Sequence, residues 1–217
     1  MRVLVTRPEP AASRTAARLA ALGHQALVVP LMSARPLDWT PPVEAPDAIA
    51  FTSAQALEHG GPALGAYRDL PVYAVGDATA AAARAAGFHD IRTGPGDAAA
   101  LFAAAAGDGI RSLLHLAGRD RTAAAPPDLT ITVRELYAVD PVDAPLPAAD
   151  LVLVYSARAA TQLARVAGPA RSGLAVAALS PGVAAALGPG WRNVMVALTP
   201  DEDALFAASG LTCEKPG

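Results

Sequence analysis

One stretch of this chain occurs twice. Phe51-Thr52-Ser53-Ala54 and Val154-Tyr155-Ser156-Ala157 each close a short apolar run and open an alanine-rich stretch, and their serines, 53 and 156, stand 103 residues apart. Later landmarks keep that spacing to within one residue. Gly87-Phe88 answers Gly190-Trp191, and Asp97 with Leu101-Phe102 answers Asp201 with Leu205-Phe206. These matches fall on serine, glycine-aromatic and leucine-phenylalanine positions rather than on alanines, so alanine richness does not explain them. A repeat of this length in a chain of 217 residues predicts two similar lobes of about 100 residues each.

Between the landmarks, short β-branched runs alternate with alanine-rich helical stretches, the rhythm of a parallel α/β sheet. Strands are expected at Val3 to Val5, Ala26 to Val29, Asp47 to Phe51, Val72 to Val75, His89 to Arg92, Leu113 to Leu116, Thr130 to Leu136, Leu151 to Tyr155, Leu174 to Ala178 and Asn193 to Val196. Two proline-bearing stretches break the rhythm. The first carries prolines 30, 36, 41, 42 and 46, too many for a helix or a central strand, and the second carries 141, 145 and 147. Residues 1–36 hold only two expected strands, too few for an independent sheet. They are therefore expected to pack with 140–217 as a discontinuous first lobe, with 46–132 inserted as a second. Lobes arranged in this way would face each other across a cleft, a preferred place for small ligands.

Composition excludes several classes. Apolar residues make up 53% and charged residues 17%, which is the opposite of a disordered chain. No apolar run is long enough to span a membrane, and Met1 to Thr6 lead directly into Arg7-Pro8 without a signal-peptide core. A location in the cytoplasm is the expectation. The single cysteine, Cys213, cannot form an internal disulfide, and His24, His59, His89 and His115 show no ligand spacing, so no metal is expected. A net charge of -3, without a basic stripe, argues against nucleic acid as a partner. Gly76-Asp77-Ala78-Thr79-Ala80-Ala81 has only the first glycine of a dinucleotide fingerprint.

The residues that follow the strands carry the chemistry. They are Thr6-Arg7, Thr52-Ser53, Gly76 to Thr79, Ala117-Gly118-Arg119, Ser156 and Ser180-Pro181-Gly182. Hydroxyls, glycines and arginines at helix N-termini suit anions, because free N–H groups and the helix dipole point there. Taken singly, each hydroxyl reads as an ordinary helix cap; the functional reading rests on their convergence. Glycines 76 and 118 are expected at turns with positive φ, where a valine would obstruct the approach of a carboxylate. His115, inside a strand, reads as a hydrogen-bonded core residue.

In order along the chain, VLVTRP (3–8), FTSAQAL (51–57), VGDATA (75–80), Gly118-Arg119, Glu135-Leu136-Tyr137 and ALSPGVAAAL (178–187) resemble the uroporphyrinogen-III synthase family over nearly the whole chain. The resemblance implies two flavodoxin-like α/β/α lobes with parallel sheets, one inserted in the other and joined by a two-stranded connector, placed at 37–45 and 133–139. It implies cofactor-free closure of hydroxymethylbilane with inversion of the last ring and loss of water. Tyr137 matches the family's tyrosine at the end of the connector and would assist loss of the hydroxyl. Arg7, Thr52, Ser53, Gly76, Thr79, Gly118, Arg119, Ser156, Ser180 and Gly182 would bind substrate. Gly182-Val183 departs from the family's Thr-Thr and leaves backbone N–H groups as the binders there. A monomer is expected, in transient contact with the enzyme that makes the bilane. A non-catalytic two-lobed small-molecule binding module is the alternative.

Overall fold

The computed structural model describes residues 1–120 and 125–211; Cys213 lies outside them. The first half of the chain runs β1 (Arg2–Val5), α1 (Ala11–Ala21), β2 (Gln25–Val28), β3 (Met32–Pro36), β4 (Ala48–Phe51), α2 (Ala54–His59), β5 (Val72–Ala74), α3 (Asp77–Ala85), β6 (Ile91–Thr93) and α4 (Ala98–Gly107). The second half runs β7 (Ser112–Gly118), β8 (Thr130–Pro141), β9 (Leu151–Val154), α5 (Ala157–Ala167), β10 (Ala175–Ala178), α6 (Pro181–Leu187), β11 (Asn193–Val196) and α7 (Glu202–Ala208). Short 3-10 turns at Pro62–Tyr67 and Gly168–Gly173 precede β5 and β10. The chain divides into two compact units, Met1–Ser33 with Asp140–Gly217, and Ala34–Val139.

The first unit holds a five-stranded sheet, order β11-β10-β9-β1-β2, in which every pairing is parallel. Its central strands read as unbroken apolar runs because both faces are covered: Val3, Leu4, Val5, Val152, Leu153 and Val176 are all buried. On one face Val3, Val5, Leu151 and Leu153 pack with Leu19 of α1 and with Leu205 and Phe206 of α7. The spatial order is flavodoxin-like, and connections leave in opposite directions from β1 and β9.

The second unit holds a six-stranded sheet, order β3-β8-β7-β4-β5-β6. The pairings among β4 to β8 are parallel. Leu37 N–H donates to Leu136 O and Val142 N–H to Leu31 O, so β3 runs antiparallel to β8 at the sheet edge. An edge place suits a strand that ends on Pro36. The paired stretch lies upstream of 37–45, which forms no strand. Phe51, Leu114, Leu116 and Leu136 form the core on the α2–α3 face, and Tyr73, Leu101, Phe102 and Leu113 the core on the α4 face.

The repeat is deeper than the sequence landmarks show. Asp47 and Asp150, again 103 apart, stand just before β4 and β9. The Asp47 carboxylate accepts the N–H groups of Arg111 and Ser112 where β7 begins, and the Asp150 carboxylate accepts that of Arg2 where β1 begins. Gly87 and Gly190 both have positive φ, 88° and 95°, and a side chain at either would meet the arginine of its own unit, Arg68 or Arg171. These arginines are also 103 apart.

Candidate functional site

Because the strands of each sheet are parallel, all the loops named as candidates from sequence emerge at carboxyl edges. At the edge of the first unit's sheet stand Arg7, Ser156, Ser180 and Gly182. Ser156 Oγ accepts Ala159 N–H at 3.2 Å, capping α5, and Ser180 Oγ accepts Val183 N–H at 3.4 Å, capping α6. Gly182 follows in the first turn of α6, with open space around its α-carbon apart from the Ser180 hydroxyl at 3.9 Å.

Arg7 leaves β1 at the point where connections diverge, and it is held by its own unit. Its guanidinium lies 4.3 Å over the Tyr155 ring and contacts Glu202 Oε1 at 3.3 Å. That oxygen also accepts Thr15 Oγ1–H at 2.6 Å and Tyr155 O–H at 2.8 Å, while Arg18 binds Oε2 at 2.7 Å and reaches Asp203 as well. Burial works to raise the Glu202 carboxyl, but hydrogen bonds from Thr15, Tyr155 and Arg18 hold it below its ordinary range. Burial, reinforced by the adjacent Glu202 carboxylate, pushes the Tyr155 phenol well above its ordinary value. The sequence reading missed this network, because Glu202 stands nearly 200 residues from Arg7 and only the pairing of β1 with β9 brings them together.

At the edge of the second unit's sheet stand Thr52, Ser53, Gly76, Thr79, Gly118, Arg119 and Tyr137. Ser53 Oγ accepts Gln55 N–H at 3.2 Å and caps α2; Gly76 opens α3, and Thr79 is buried in its first turn. Thr52 Oγ1 lies 2.9 Å from Nε2 of His115, a residue only 2% exposed whose ring sits edge-on to Phe102. His115 is therefore the hydrogen-bonded core residue expected, with the added feature that it fixes a candidate hydroxyl. An open cavity of about 450 Å3 borders it, lined by Phe102, Arg119, Ile131, Val133 and Glu135 among others. Arg119 pairs with Glu135 at 3.1 Å there.

Tyr137 is 8% exposed, with the His59 ring centroid 5.7 Å from its own, and its hydroxyl makes no hydrogen bond among the described residues. Two expectations about glycine need correction. Neither Gly76 nor Gly118 has positive φ. Gly76 is extended at φ -170°, with nothing within 4 Å of a would-be side chain, so a residue there would meet neither strain nor a neighbour. At Gly118 a side chain would meet the Tyr137 ring rather than an incoming carboxylate.

The family model for uroporphyrinogen-III synthase HemD matches residues 13–207. Uroporphyrinogen-III synthetase from Helicobacter pylori 26695 has a similar structure, with a TM-score of 0.64 and 14% identity, covering 96% of this chain and 98% of that one. A mutant uroporphyrinogen III synthase from the extremely thermophilic bacterium Thermus thermophilus is similar at a TM-score of 0.50 and 15% identity, covering 97% and 96%. No curated protein matches the sequence.

Proposed function

The chain belongs to the uroporphyrinogen-III synthase family, and on that premise we propose that it closes hydroxymethylbilane to uroporphyrinogen III, inverting the last ring and releasing water as a cyclising lyase. The family match carries this reading, because residues 13–207 take in nearly every element of both sheets. Tyr137 acts as the proton donor. Its O–H protonates the departing hydroxyl, which leaves as water, and the pyrrole nitrogens of the substrate stabilise the resulting azafulvene cation. The substituted carbon of the terminal ring attacks to form a spiro intermediate. The bond from that carbon to its original bridging methylene then breaks, giving a second azafulvene, and the ring's free α-carbon captures that methylene to close the macrocycle with the ring inverted. The proton released when the pyrroles regain aromaticity returns to the phenolate. A phenol is a weak acid, which suffices because the substrate carries its own cation stabilisation.

Thr52, Ser53, Gly76, Thr79, Gly118 and Arg119 bind substrate carboxylates along the edge of their sheet, and Ser156, Ser180 and Gly182 do so through N–H groups along theirs. Arg7 contributes less than its position suggests, because Glu202 already engages it. The enzyme works as a cytoplasmic monomer and receives the bilane from the enzyme that makes it. Among the described residues no helix is long and apolar enough to cross a membrane.

The test is incubation with enzymatically generated hydroxymethylbilane and chromatography of the product isomers. The inverted isomer should form, and Tyr137→Phe should slow it by about 100-fold, the low end of general-acid contributions. Formation of only the uninverted isomer, at the spontaneous rate, would leave the binding-module reading in its place.

A further inference from the structure

Strand β8 changes its facing just before the candidate proton donor. Ile131, Val133 and Glu135 line the cavity on the α4 side, and Leu136 turns to the opposite face. A regular strand would send Tyr137 back to the cavity side. Instead Ala117 pairs with Glu135 while Gly118 pairs with Tyr137, so β8 spends one extra residue, Leu136, against β7. Tyr137 consequently joins Leu136, Phe51 and Leu116 in the core on the α2 side, against His59. The bond from Arg119 N–H to Tyr137 O, at 2.9 Å, fixes the new register. Bulges commonly re-aim one side chain in this way.

The ring so aimed lands on a glycine. A side-chain carbon on Gly118 would stand 2.6 Å from Cζ of Tyr137 and 2.9 Å from both Cε2 and Oη, closer than packed atoms approach. Since Gly118 does not have positive φ, its lack of a side chain serves that close approach rather than a turn. We infer that Gly118 is a positioning residue for Tyr137: the β8 bulge delivers the phenol, and the bare α-carbon sets where its hydroxyl stands. This rests on Tyr137 being the proton donor proposed above.

Gly118→Ala, Tyr137→Phe and the double variant should be compared in turnover and in 19F NMR with 3-fluorotyrosine, which reports each of the four tyrosines. Gly118→Ala should shift the resonance that Tyr137→Phe abolishes and leave the other three in place, which also certifies the fold. It should lower kcat by about 10- to 100-fold, the scale on which misplacing a group by roughly 1 Å acts. The double variant should be no slower than Tyr137→Phe. An unmoved resonance, an unchanged kcat, or a double variant that multiplies the two losses would overturn the inference. Tyr137→Phe turning over normally would instead defeat the donor reading, and the positioning role with it. If Gly118→Ala fails to fold, His59→Ala decides: removing the ring's other neighbour should move the same resonance and lower kcat by a few-fold, and no change in either would overturn the inference.

Discussion

The two sheets have the same polarity and spatial order at their centres, yet the corresponding edges are furnished oppositely. Where β9 meets β1, Tyr155, Arg7, Thr15 and Arg18 all converge on the Glu202 carboxylate. Where β4 meets β7, the repeat puts Thr52 in place of Tyr155 and Ala98 opposite Glu202, and Thr52 turns to His115 instead. Helix α1 supplies Thr15 and Arg18 in the first unit. The β7–β8 connection has no α-helix among its described residues, and the 450 Å3 cavity opens beside it. One duplicated plan has thus spent its polar groups on internal cohesion at one edge and left a cavity and a bulge-aimed tyrosine at the other.

The sharpest way to break this comparison is Glu202→Ala. It leaves two half-exposed arginines close together and removes the acceptor from Tyr155, and the loss should be about 2 kcal/mol of unfolding free energy, the scale for stranding partly buried hydrogen-bond partners of a charge. Denaturant unfolding measures it; a loss below about 0.5 kcal/mol would mean that the network is solvated and idle. The paired serines come next. Both act as caps, so Ser156→Ala and Ser53→Ala should each cost about 1 kcal/mol, and Ser→Gly only a few tenths. Ser53 is also proposed to bind substrate, so KM for the bilane should rise for Ser53→Ala alongside the lost stability; an unchanged KM would leave Ser53 a cap only.

Much of the fold was legible because both faces of each central strand are buried, which writes strands as plain apolar runs such as VLV at 3–5 and LVLV at 151–154. Strand β3 was not, because Met32–Pro36 is a mostly solvent-facing edge strand beside β8 that looks like a proline linker. Candidate residues at strand ends were legible as a class, since hydroxyls and glycines there open helices. What each one touches was not. The Glu202 network depends on which strands are neighbours, and the aim of Tyr137 depends on a one-residue slip between β7 and β8 that leaves no mark in the residues of either strand. Asp47 and Asp150 were overlooked because a single aspartate before a strand carries no pattern until its partner strand is known.

The smallest expected effect is a difference in how the two units respond to acid. Asp47 and Asp150 are both held below their ordinary range by backbone N–H groups, one in each unit, so their contributions largely cancel in a comparison. Glu202 has no counterpart in the second unit. A carboxyl whose folded pKa is depressed adds stability that is complete above its unfolded value, near 4.3 for an ordinary glutamate, and that is lost as pH falls through the lower folded value. Acidification should therefore weaken protection of β1 and β9 amides more than that of β4 and β7 amides, measured by hydrogen exchange relative to intrinsic rates. Glu202→Gln keeps the shape but removes that titration. It should narrow the difference between the two sheets over that window while lowering protection of the first at neutral pH, and leave the part contributed by Asp201, which the Thr199 hydroxyl and the Ala204 N–H hold below its ordinary range. A wild-type chain whose two sheets lose protection together would show that the Glu202 carboxylate is bound no better than water would bind it.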